Sequence, residues 1–471
     1  MTATFPDVSH LRGNFAPLLL EADAHDLVIE GEVPGGLSGS LYRNGPNPQY
    51  PPRGQSHWFG GEGMVHAFHI RDGRVSYRNR WVMTDKVRLE REAGRALFGI
   101  FNNPMDTDPS VQGKDPSLAN THIVWHAGKL LALEEGHAPV AMAPRSLETE
   151  GPWDFGGALK ANFTAHPKVD PETGEMLAFA YMAAGPASPD MGYYVVDSSG
   201  KLVRQDFFKA PYSAMVHDFL ATDRHVLFPV FPLTASLERA MQGRPFFAWE
   251  PEKGSHIGIM ARNAGIDSIR WFQAPACYVF HPLNAWSEGD TVIADVMKYD
   301  VAPLFPAPDG TPASGRDNPT RLVRWTFDLA GNSDSFREEV LDDQYAEFPR
   351  LDERRAGLSY RYGFAAGRSA VTGPDGDNSF DTLLRYDLKA GSKDSFVMPE
   401  DQKLSEPVFV PRDTDAAEGE GWLLATAYRP RENRSDLVIF DAQAVADGPL
   451  ARAHLPVRVP YGFHGSWRQD D

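Results

Sequence analysis

Tyr193-Tyr-Val-Val-Asp197, followed by Ser198-Ser-Gly-Lys201, is a short aromatic segment that ends on an aspartate and enters a turn. The same arrangement ends at Asp328, Asp387 and Asp441, and the gaps between the four aspartates are 131, 59 and 54 residues. The first gap is close to two of the others. Apolar and aromatic segments closed by Asp and Gly are typical of antiparallel strands joined by tight turns.

This recurrence indicates a repeated β-unit. A period of about 55–65 residues suits a four-stranded propeller blade with long loops, and seven blades would fill the 471 residues. Gly and Pro are spread along the whole chain, and helical periodicity is scarce outside Ser236–Gln242. We therefore predict an all-β fold, a seven-bladed β-propeller, as a single domain over residues 1–471. The alternative is that aromatic–Asp turns are simply common in β proteins.

Composition excludes several functional classes. The net charge of −18 argues against a nucleic-acid partner and against docking on an anionic membrane. No apolar run approaches the length of a transmembrane segment, and the N-terminus carries no signal-peptide pattern. The single cysteine, Cys277, excludes disulfide scaffolds and thiolate metal sites. We expect a cytoplasmic protein.

Four of the 15 histidines share an apolar or aromatic setting: His166, His217, His281 and His464. Their separations of 51, 64 and 183 residues correspond to about one, one and three blade periods. Ligands from different blades would converge on a propeller axis, so the spacing favours one metal ion held by four imidazoles. Imidazole suits Zn, Cu, Fe and Ni, so the ligands alone do not select the ion. The alternative for each residue is a buried histidine with a protein partner.

A second histidine pair, His66 and His69, is a weaker candidate, because positions three apart in a strand point to opposite faces. Neutral imidazoles leave the charge of a divalent ion uncompensated, so carboxylates should accept hydrogen bonds from their far ring nitrogens. Three glutamates in apolar or turn contexts could do this: Glu135, Glu347 and Glu406. The alternative for each is an exposed turn carboxylate.

At these residues the chain resembles the carotenoid cleavage oxygenases, the family that includes lignostilbene dioxygenases and isoeugenol monooxygenase. The resemblance runs from about Leu41 to Trp467. The motifs that carry it are Leu41-Tyr-Arg-Asn-Gly-Pro-Asn-Pro48, His57-Trp-Phe-Gly-Gly-Glu-Gly-Met-Val-His66, Ala165-His-Pro-Lys-Val-Asp170, Met215-Val-His-Asp-Phe219, Val279-Phe-His-Pro-Leu-Asn-Ala-Trp286, Glu406-Pro-Val-Phe-Val-Pro-Arg412, Arg434-Ser-Asp-Leu-Val438 and Gly462-Phe-His-Gly465.

The resemblance implies a seven-bladed propeller with a cap of loops and short helices over an axial Fe(II), which the four histidines would hold. Glu135, Glu347 and Glu406 match the family's outer carboxylates. Thr121 matches a threonine whose methyl group lies near an open coordination position, and Phe59 matches an aromatic of the substrate tunnel. The implied reaction is the O₂-dependent cleavage of a conjugated C=C bond in a small hydrophobic alkene.

The substrate is less clearly indicated. Relatives that cleave stilbenes carry a Lys and a Tyr that hold a phenolate, whereas the matching tunnel positions here are Glu134 and Phe101. A carboxylate would repel a phenolate, and Phe cannot donate a hydrogen bond. The sequence therefore favours a carotenoid or apocarotenoid, with stilbenes and phenylpropanoids as the alternative. A non-catalytic metal-binding propeller and a zinc or calcium hydrolase remain as further alternatives.

Overall fold

Antiparallel β-strands make up most of this computed structural model, which describes residues 4–54, 56–99, 106–313, 318–369, 379–399 and 401–470. In chain order, the strands of the first part are β1 (Asp23–Ala24), β2 (Val28–Gly31), β3 (Gly39–Pro46), β4 (Gly63–Arg71), β5 (Arg74–Trp81), β6 (His122–His126), β7 (Lys129–Leu133), β8 (Val140–Met142), β9 (Thr149–Pro152), β10 (Lys168–Val169), β11 (Met176–Ala180), β12 (Asp190–Val196), β13 (Leu202–Lys209), β14 (Leu220–Ala221), β15 (His225–Val230), β16 (Leu233–Ala235) and β17 (Phe247–Trp249).

The later strands are β18 (Ser255–Ala261), β19 (Arg270–Ala274), β20 (Tyr278–Glu288), β21 (Thr291–Tyr299), β22 (Arg321–Asp328), β23 (Arg337–Asp342), β24 (Ala346–Leu351), β25 (Tyr362–Gly367), β26 (Thr382–Asp387), β27 (Ser392–Val397), β28 (Lys403–Leu404), β29 (Val408–Pro411), β30 (Gly421–Arg429), β31 (Arg434–Asp441), β32 (Pro449–His454) and β33 (Gly465–Gln469). The α-helices are α1 (Asp85–Ala93) and α2 (Leu237–Met241). Short 3₁₀ turns are Ser9–Leu11, Gly13–Phe15, Trp58–Gly60, Pro109–Val111, Pro251–Lys253, Ile266–Ser268, Glu353–Arg355 and Val445–Asp447.

The described strands form seven sheets of four to six strands, each with antiparallel pairing. Their strand orders are β1-β5-β4-β3-β33, β6-β7-β8-β9, β10-β11-β12-β13, β14-β15-β18-β19, β20-β21-β22-β23, β24-β25-β26-β27 and β2-β32-β31-β30-β28, with β29 also paired to β30. A small separate sheet pairs β16 with β17. Each larger sheet is one blade, so the predicted seven-bladed β-propeller is confirmed.

The repeated aspartates occupy one place in the blade. Asp197, Asp328, Asp387 and Asp441 each lie at or directly after the end of the third strand of a blade. Each side chain accepts a backbone N–H from the turn that follows, as Asp197 does from Ser199 at 3.0 Å. An aspartate that bonds its own turn in this way stabilises the reversal into the outer strand. The sequence period is therefore the blade period.

The chain divides into two compact units. The first comprises Met1–Gly156, Ser379–Arg385 and Asp394–Asp471, and the second comprises Gly157–Asn378 and Tyr386–Lys393. In the first unit both ends of the chain join blades, because β2 pairs with β32 and β33 pairs with β3. A core of buried aliphatic and aromatic side chains, including Leu41, Phe68, Leu437 and Ile439, fills this unit. The single domain over residues 1–471 stays a prediction.

Helix α1 was not expected from the sequence, whereas the short helix expected near Ser236 is α2. The helix begins after the Thr84 cap, whose hydroxyl accepts the Val87 N–H, and it ends at Gly94 in the left-handed region. Its sequence is mostly charged, but Lys86 and Glu90 are buried and form an ion pair at 2.6 Å. Burial of paired charges replaces the apolar stripe on which recognition of a helix depends. Among the described residues, no helix is both long and apolar enough to cross a bilayer.

Gly465, the first residue of β33, has no room for a side chain. It pairs with Arg43 of β3, and a Cβ at this position would clash with the Tyr42 carbonyl oxygen. The close approach fixes the start of β33, and His464 is the residue directly before it. The backbone N–H of Gly465 also donates to Glu406 at 2.8 Å.

We expect Gly465→Ala to lower the free energy of unfolding by about 1–3 kcal/mol, because an added methyl group forces strands β3 and β33 apart. Urea unfolding measures this change. Gly35→Ala is the matched control, since a Cβ at Gly35 meets nothing within 4 Å. Equal stability of the two variants would show that the strands can separate without cost.

Candidate metal centre

The four histidines singled out from the sequence occupy equivalent places in four blades. His166 lies two residues before β10, His217 three residues before β14, His281 inside β20 and His464 directly before β33. Each of these strands lies at one end of the strand order of its sheet. The register of β20 with β21 is irregular around His281, between Val279 and Pro282. Such a bulge changes the direction of the side chain that it carries.

Three of these imidazoles meet through the same ring nitrogen. The Nε2 atom of His217 lies 3.1 Å from Nε2 of His166 and 3.2 Å from Nε2 of His281. Two imidazole nitrogens that bind one ion at about 2.1 Å, at right angles to each other, are about 3.0 Å apart. The observed separations therefore suit ligands of a single ion.

Among the described residues, one group of His, Cys, Asp or Glu could hold a metal: His166, His217, His281 and His464. One ligand atom from each lies within 4.8 Å of the others. His166, His281 and His464 are buried, and His217 is half-buried. Nearby aromatic rings keep water away from the imidazoles. Phe280 contacts His217 edge to face, and Phe348 stacks on His281 with ring centres 5.4 Å apart.

Two predicted carboxylates lie on the far nitrogens of two of these rings. Glu347 Oε2 is 2.6 Å from Nδ1 of His281, and Glu406 Oε1 is 2.9 Å from Nδ1 of His464. Each carboxylate also accepts a backbone N–H, from Phe348 and Gly465 respectively. A carboxylate on Nδ1 keeps the proton there and leaves the Nε2 lone pair available to a metal.

The donor set fits a divalent transition-metal ion. Neutral imidazole is a ligand that such ions accept readily, and the carboxylates supply negative charge behind it. The second oxygen of Glu347, Oε1, is buried and has no hydrogen-bond donor in the described part of the chain. An unshared buried carboxylate charge is costly unless a cation lies nearby. A metal ion at the imidazole nitrogens would supply that cation.

Three further site residues were predicted from the sequence, and the structure describes two of them. Glu135 lies two residues after β7 and is half-buried, and its role as an outer carboxylate stays a prediction. Thr121 is buried directly before β6, and its carbonyl oxygen accepts the His464 N–H at 3.2 Å. Phe101, assigned to the substrate tunnel, lies outside the described residues.

Asn120, which the sequence did not single out, connects Thr121 to Phe59. Its side-chain amide donates to the carbonyl oxygens of Phe59 and Gly61, at 2.8 and 2.7 Å. Its Oδ1 accepts the Thr121 hydroxyl at 3.0 Å. The aromatic predicted for the tunnel is thus held against the threonine that precedes β6. An asparagine in a loop gives no sequence signal for such a contact.

An aromatic cluster formed by Phe15, Trp58, Phe59 and Phe463 lies next to His464. The Phe463 ring centre is 4.8 Å from Trp58 and 5.4 Å from Phe59, and Phe15 contacts Trp58 edge to face at 5.2 Å. Phe463 directly precedes His464 in the chain. The cluster offers an apolar, π-rich surface beside one predicted metal ligand.

Glu134, the other residue assigned to the tunnel, is not a bare carboxylate. Its Oε1 bonds the Nδ1 atom of His137, and its Oε2 accepts the Gly136 N–H at 2.8 Å. Burial lowers the pKa of His137, but the attraction of Glu134 and of Asp115 outweighs it and raises this pKa to about 9. Although burial opposes it, the same pairing holds the pKa of Glu134 below its usual value. The two half-buried side chains form an ion pair at neutral pH.

The rival histidine pair does not form a joint site. Within β4, His66 Nδ1 is 2.7 Å from the Tyr77 hydroxyl, whereas His69 Nδ1 is 2.8 Å from the Ser40 hydroxyl. Burial lowers the pKa of His66 to about 3 and that of His69 to about 4. Both are neutral structural histidines with separate partners, as their opposite directions from the strand predicted.

Two charged residues near the ligands were missed. Asp218 follows His217, and its Oδ2 is 3.6 Å from Nδ1 of His166, while its Oδ1 pairs with Lys168 at 2.7 Å. Burial raises the pKa of the Asp218 carboxyl, and Lys168 opposes that rise. Arg43 is buried and lies 3.8 Å from Glu406 Oε2. Both residues lie inside the motifs quoted above, but a motif does not reveal which partner each side chain reaches.

Comparisons with known proteins agree with this arrangement. The family model described as retinal pigment epithelial membrane protein (RPE65) matches residues 15–469. An isoeugenol monooxygenase of Pseudomonas nitroreducens is 41% identical over 464 residues, which cover 97% of each chain.

Solved structures give the same result. The lignostilbene dioxygenase of Pseudomonas brassicacearum is 38% identical, with a TM-score of 0.96 and full coverage of both chains. A cobalt-substituted apocarotenoid oxygenase of Synechocystis is 30% identical, with a TM-score of 0.86, over 96% of this chain and 97% of the other. The blades, the buried imidazole group and these matches agree that the chain is an oxygenase and belongs to the RPE65/carotenoid cleavage oxygenase family.

Proposed function

We propose that the protein binds one Fe(II) through His166, His217, His281 and His464 and uses O₂ to cleave a conjugated C=C bond. Each alkene carbon becomes a carbonyl carbon, so that one alkene and one O₂ yield two carbonyl products. The observation that carries this proposal is the meeting of buried imidazole nitrogens at 3.1 and 3.2 Å. When bound, iron would supply the electrons that activate O₂.

The chain's own residues would prepare the site for this chemistry. Glu347 and Glu406 hold the His281 and His464 rings with Nε2 available, so little reorganisation is needed when a metal enters. We assign Glu135 the same task. Four protein ligands leave positions open for a reactant, and we place Thr121 beside such a position because its carbonyl oxygen bonds the His464 N–H.

The aromatic cluster would position the alkene. Phe59 and Phe463 present ring faces and edges close to His464, and their apolar surface excludes water. Asn120 fixes the Phe59 backbone, so the ring has a defined place. Which double bond is cleaved then depends on where this surface stops the substrate, since a misplacement of about 1 Å can cost a large part of the rate.

We propose an aryl-substituted alkene, of the stilbene or phenylpropanoid class, as the substrate. The similarity to an isoeugenol monooxygenase and to a lignostilbene dioxygenase supports this class. Two tunnel positions disfavour a phenol in the sequence, the negative charge of Glu134 and the missing hydrogen-bond donor at Phe101. Because His137 neutralises that charge, the ion pair would not repel a phenol strongly.

An apocarotenoid is the second candidate. Phe101 replaces a hydrogen-bond donor of the phenol-binding relatives, which favours a substrate without a hydroxyl group. The similarity to an apocarotenoid oxygenase also supports this class.

The enzyme's location is proposed as cytoplasmic, since a single buried cysteine suits a reducing compartment.

Incubation of the iron-loaded protein with isoeugenol, a 4-hydroxystilbene and an apocarotenal under ¹⁸O₂ tests the substrate class. We expect aryl aldehydes that carry the label, and no cleavage of the apocarotenal at a comparable rate. Mass spectrometry identifies both fragments. Cleavage of the apocarotenal alone would select the second candidate, and an absence of aldehydes from all three would contradict the proposed reaction.

We expect His281→Ala to weaken metal binding by more than about 100-fold, because loss of a ligand should exceed the 10–100-fold cost of losing an outer partner. Metal content after dialysis against Fe(II) or Co(II) measures the effect. The control is His256→Ala in β18, whose ring lies 3.3 Å from the Lys253 carbonyl oxygen and packs edge to face on the Tyr212 ring. A His281→Ala protein with full metal content would remove His281 from the ligand set.

The His137–Glu134 pair predicts a pH-dependent stability. The pKa of His137 is raised in the folded protein to about 9, so its stabilisation is complete below the unfolded pKa of about 6.5 and disappears as the pH rises through 9. At pH 6.5 we expect His137→Asn to lose on the order of 1 kcal/mol, because the ring is partly exposed to solvent.

Urea unfolding of wild type and His137→Asn at pH 6.5, 8 and 9.5 measures this difference. The two proteins should converge as the pH rises, whereas Gly35→Ala, which changes no titratable group, should show no such trend. A difference that stays constant over this range would mean that the imidazole is not charged in the folded protein.

A further inference from the structure

Asp218 lies between two elements that carry metal ligands. It directly follows His217 in the chain, yet its side chain turns to His166, with Oδ2 at 3.6 Å from the Nδ1 atom of that ring. The carboxylate is buried, with 5% of its surface exposed. A single residue therefore connects the loop before β14 to the loop before β10.

The nitrogen that Asp218 faces is the one directed away from the other imidazoles. His166 Nε2 is the atom 3.1 Å from His217 Nε2, so Nδ1 is the far nitrogen of the ring. Glu347 and Glu406 face the corresponding Nδ1 atoms of His281 and His464. Asp218 has the same relation to His166, although it comes from the residue next to a ligand and its carboxylate is farther from the ring.

The carboxylate of Asp218 is held in place from its other oxygen. Oδ1 accepts the Lys168 ammonium at 2.7 Å and the Phe219 backbone N–H at 2.7 Å. Lys168 is the second residue after His166, and its ammonium also lies 5.9 Å from the Phe219 ring centre. With Oδ1 bound twice, Oδ2 is directed to the His166 ring.

Lys168 also changes the electrostatic effect of Asp218. A carboxylate attracts a nearby metal ion. The Lys168 ammonium, 2.7 Å from the Asp218 carboxylate, offsets most of the attraction that Asp218 would exert on such an ion. Glu347 differs in this respect, because its Oε1 has no hydrogen-bond donor in the described residues. Removal of the lysine charge should therefore expose the Asp218 charge to a bound metal.

We infer that Asp218 is a positioning residue for His166 and that Lys168 limits how strongly the negative charge of Asp218 acts on the metal. The inference rests on the proposed metal site. It predicts effects of opposite sign for the two partners of one ion pair. A purely structural salt bridge predicts the same sign for both, because either substitution would break it.

Titration of the metal-free protein with Co(II), followed by the visible absorption of the bound ion, tests this inference. We expect Asp218→Asn to weaken Co(II) binding about 10–100-fold, in the range seen when an outer partner is lost, and to shift the absorption band. We expect Lys168→Met to tighten Co(II) binding several-fold. Asp197→Asn, in the turn between β12 and β13, is the matched control and should bind like wild type. Glu347→Gln gives the effect of a carboxylate at 2.6 Å from its ring.

The outcomes separate the inference from the proposal on which it rests. Absence of Co(II) binding by the wild-type protein would contradict the metal site itself. Wild-type binding that Asp218→Asn leaves unchanged, or that Lys168→Met weakens, would overturn the role of Asp218. If Asp218→Asn does not fold, the sign of the Lys168→Met effect decides the question alone, and urea unfolding of every variant identifies that case.

Discussion

A buried imidazole can bind a metal only if its second nitrogen is satisfied by the protein, because no water reaches it. The structure meets this requirement with carboxylates on Nδ1, most clearly at His281 and His464. These carboxylates fix the rings, leave Nε2 available and bring negative charge behind neutral ligands. The proposed chemistry depends on this arrangement.

The propeller provides the arrangement by repetition. Each of the seven blades contributes one residue at or next to the end strand of its sheet: Thr121, His166, His217, His281, Glu347, Glu406 and His464. These places therefore carry a candidate metal ligand in four blades, a carboxylate in two and a threonine in one. Each of these side chains starts at or next to the end strand of its blade. The chemistry at that place therefore differs between blades because the residue type differs, while the fold of the blade is the same.

The carboxylates fall into two kinds, those that a cationic side chain neutralises and those that none neutralises. Glu347 keeps an oxygen without a donor in the described residues, whereas Asp218 and Glu134 are paired with Lys168 and His137. A carboxylate that is not offset by a cationic side chain acts more strongly on a nearby metal ion, and one that is offset mainly orients its partner. The apolar aromatic cluster beside His464 is the surface that we propose for a hydrophobic substrate.

The repeated Asp turns and the spacing of the four histidines determined the fold and the ligand candidates by themselves, because a propeller converts a period along the chain into a period in space. Only the tertiary structure decided that Asp218 reaches His166, that His137 neutralises Glu134 and that Asn120 holds Phe59. It also decided helix α1, whose buried face carries the charged residues Lys86 and Glu90 beside Val87. These features depend on which side chains meet after the strands have paired, and such contacts leave no period in the sequence.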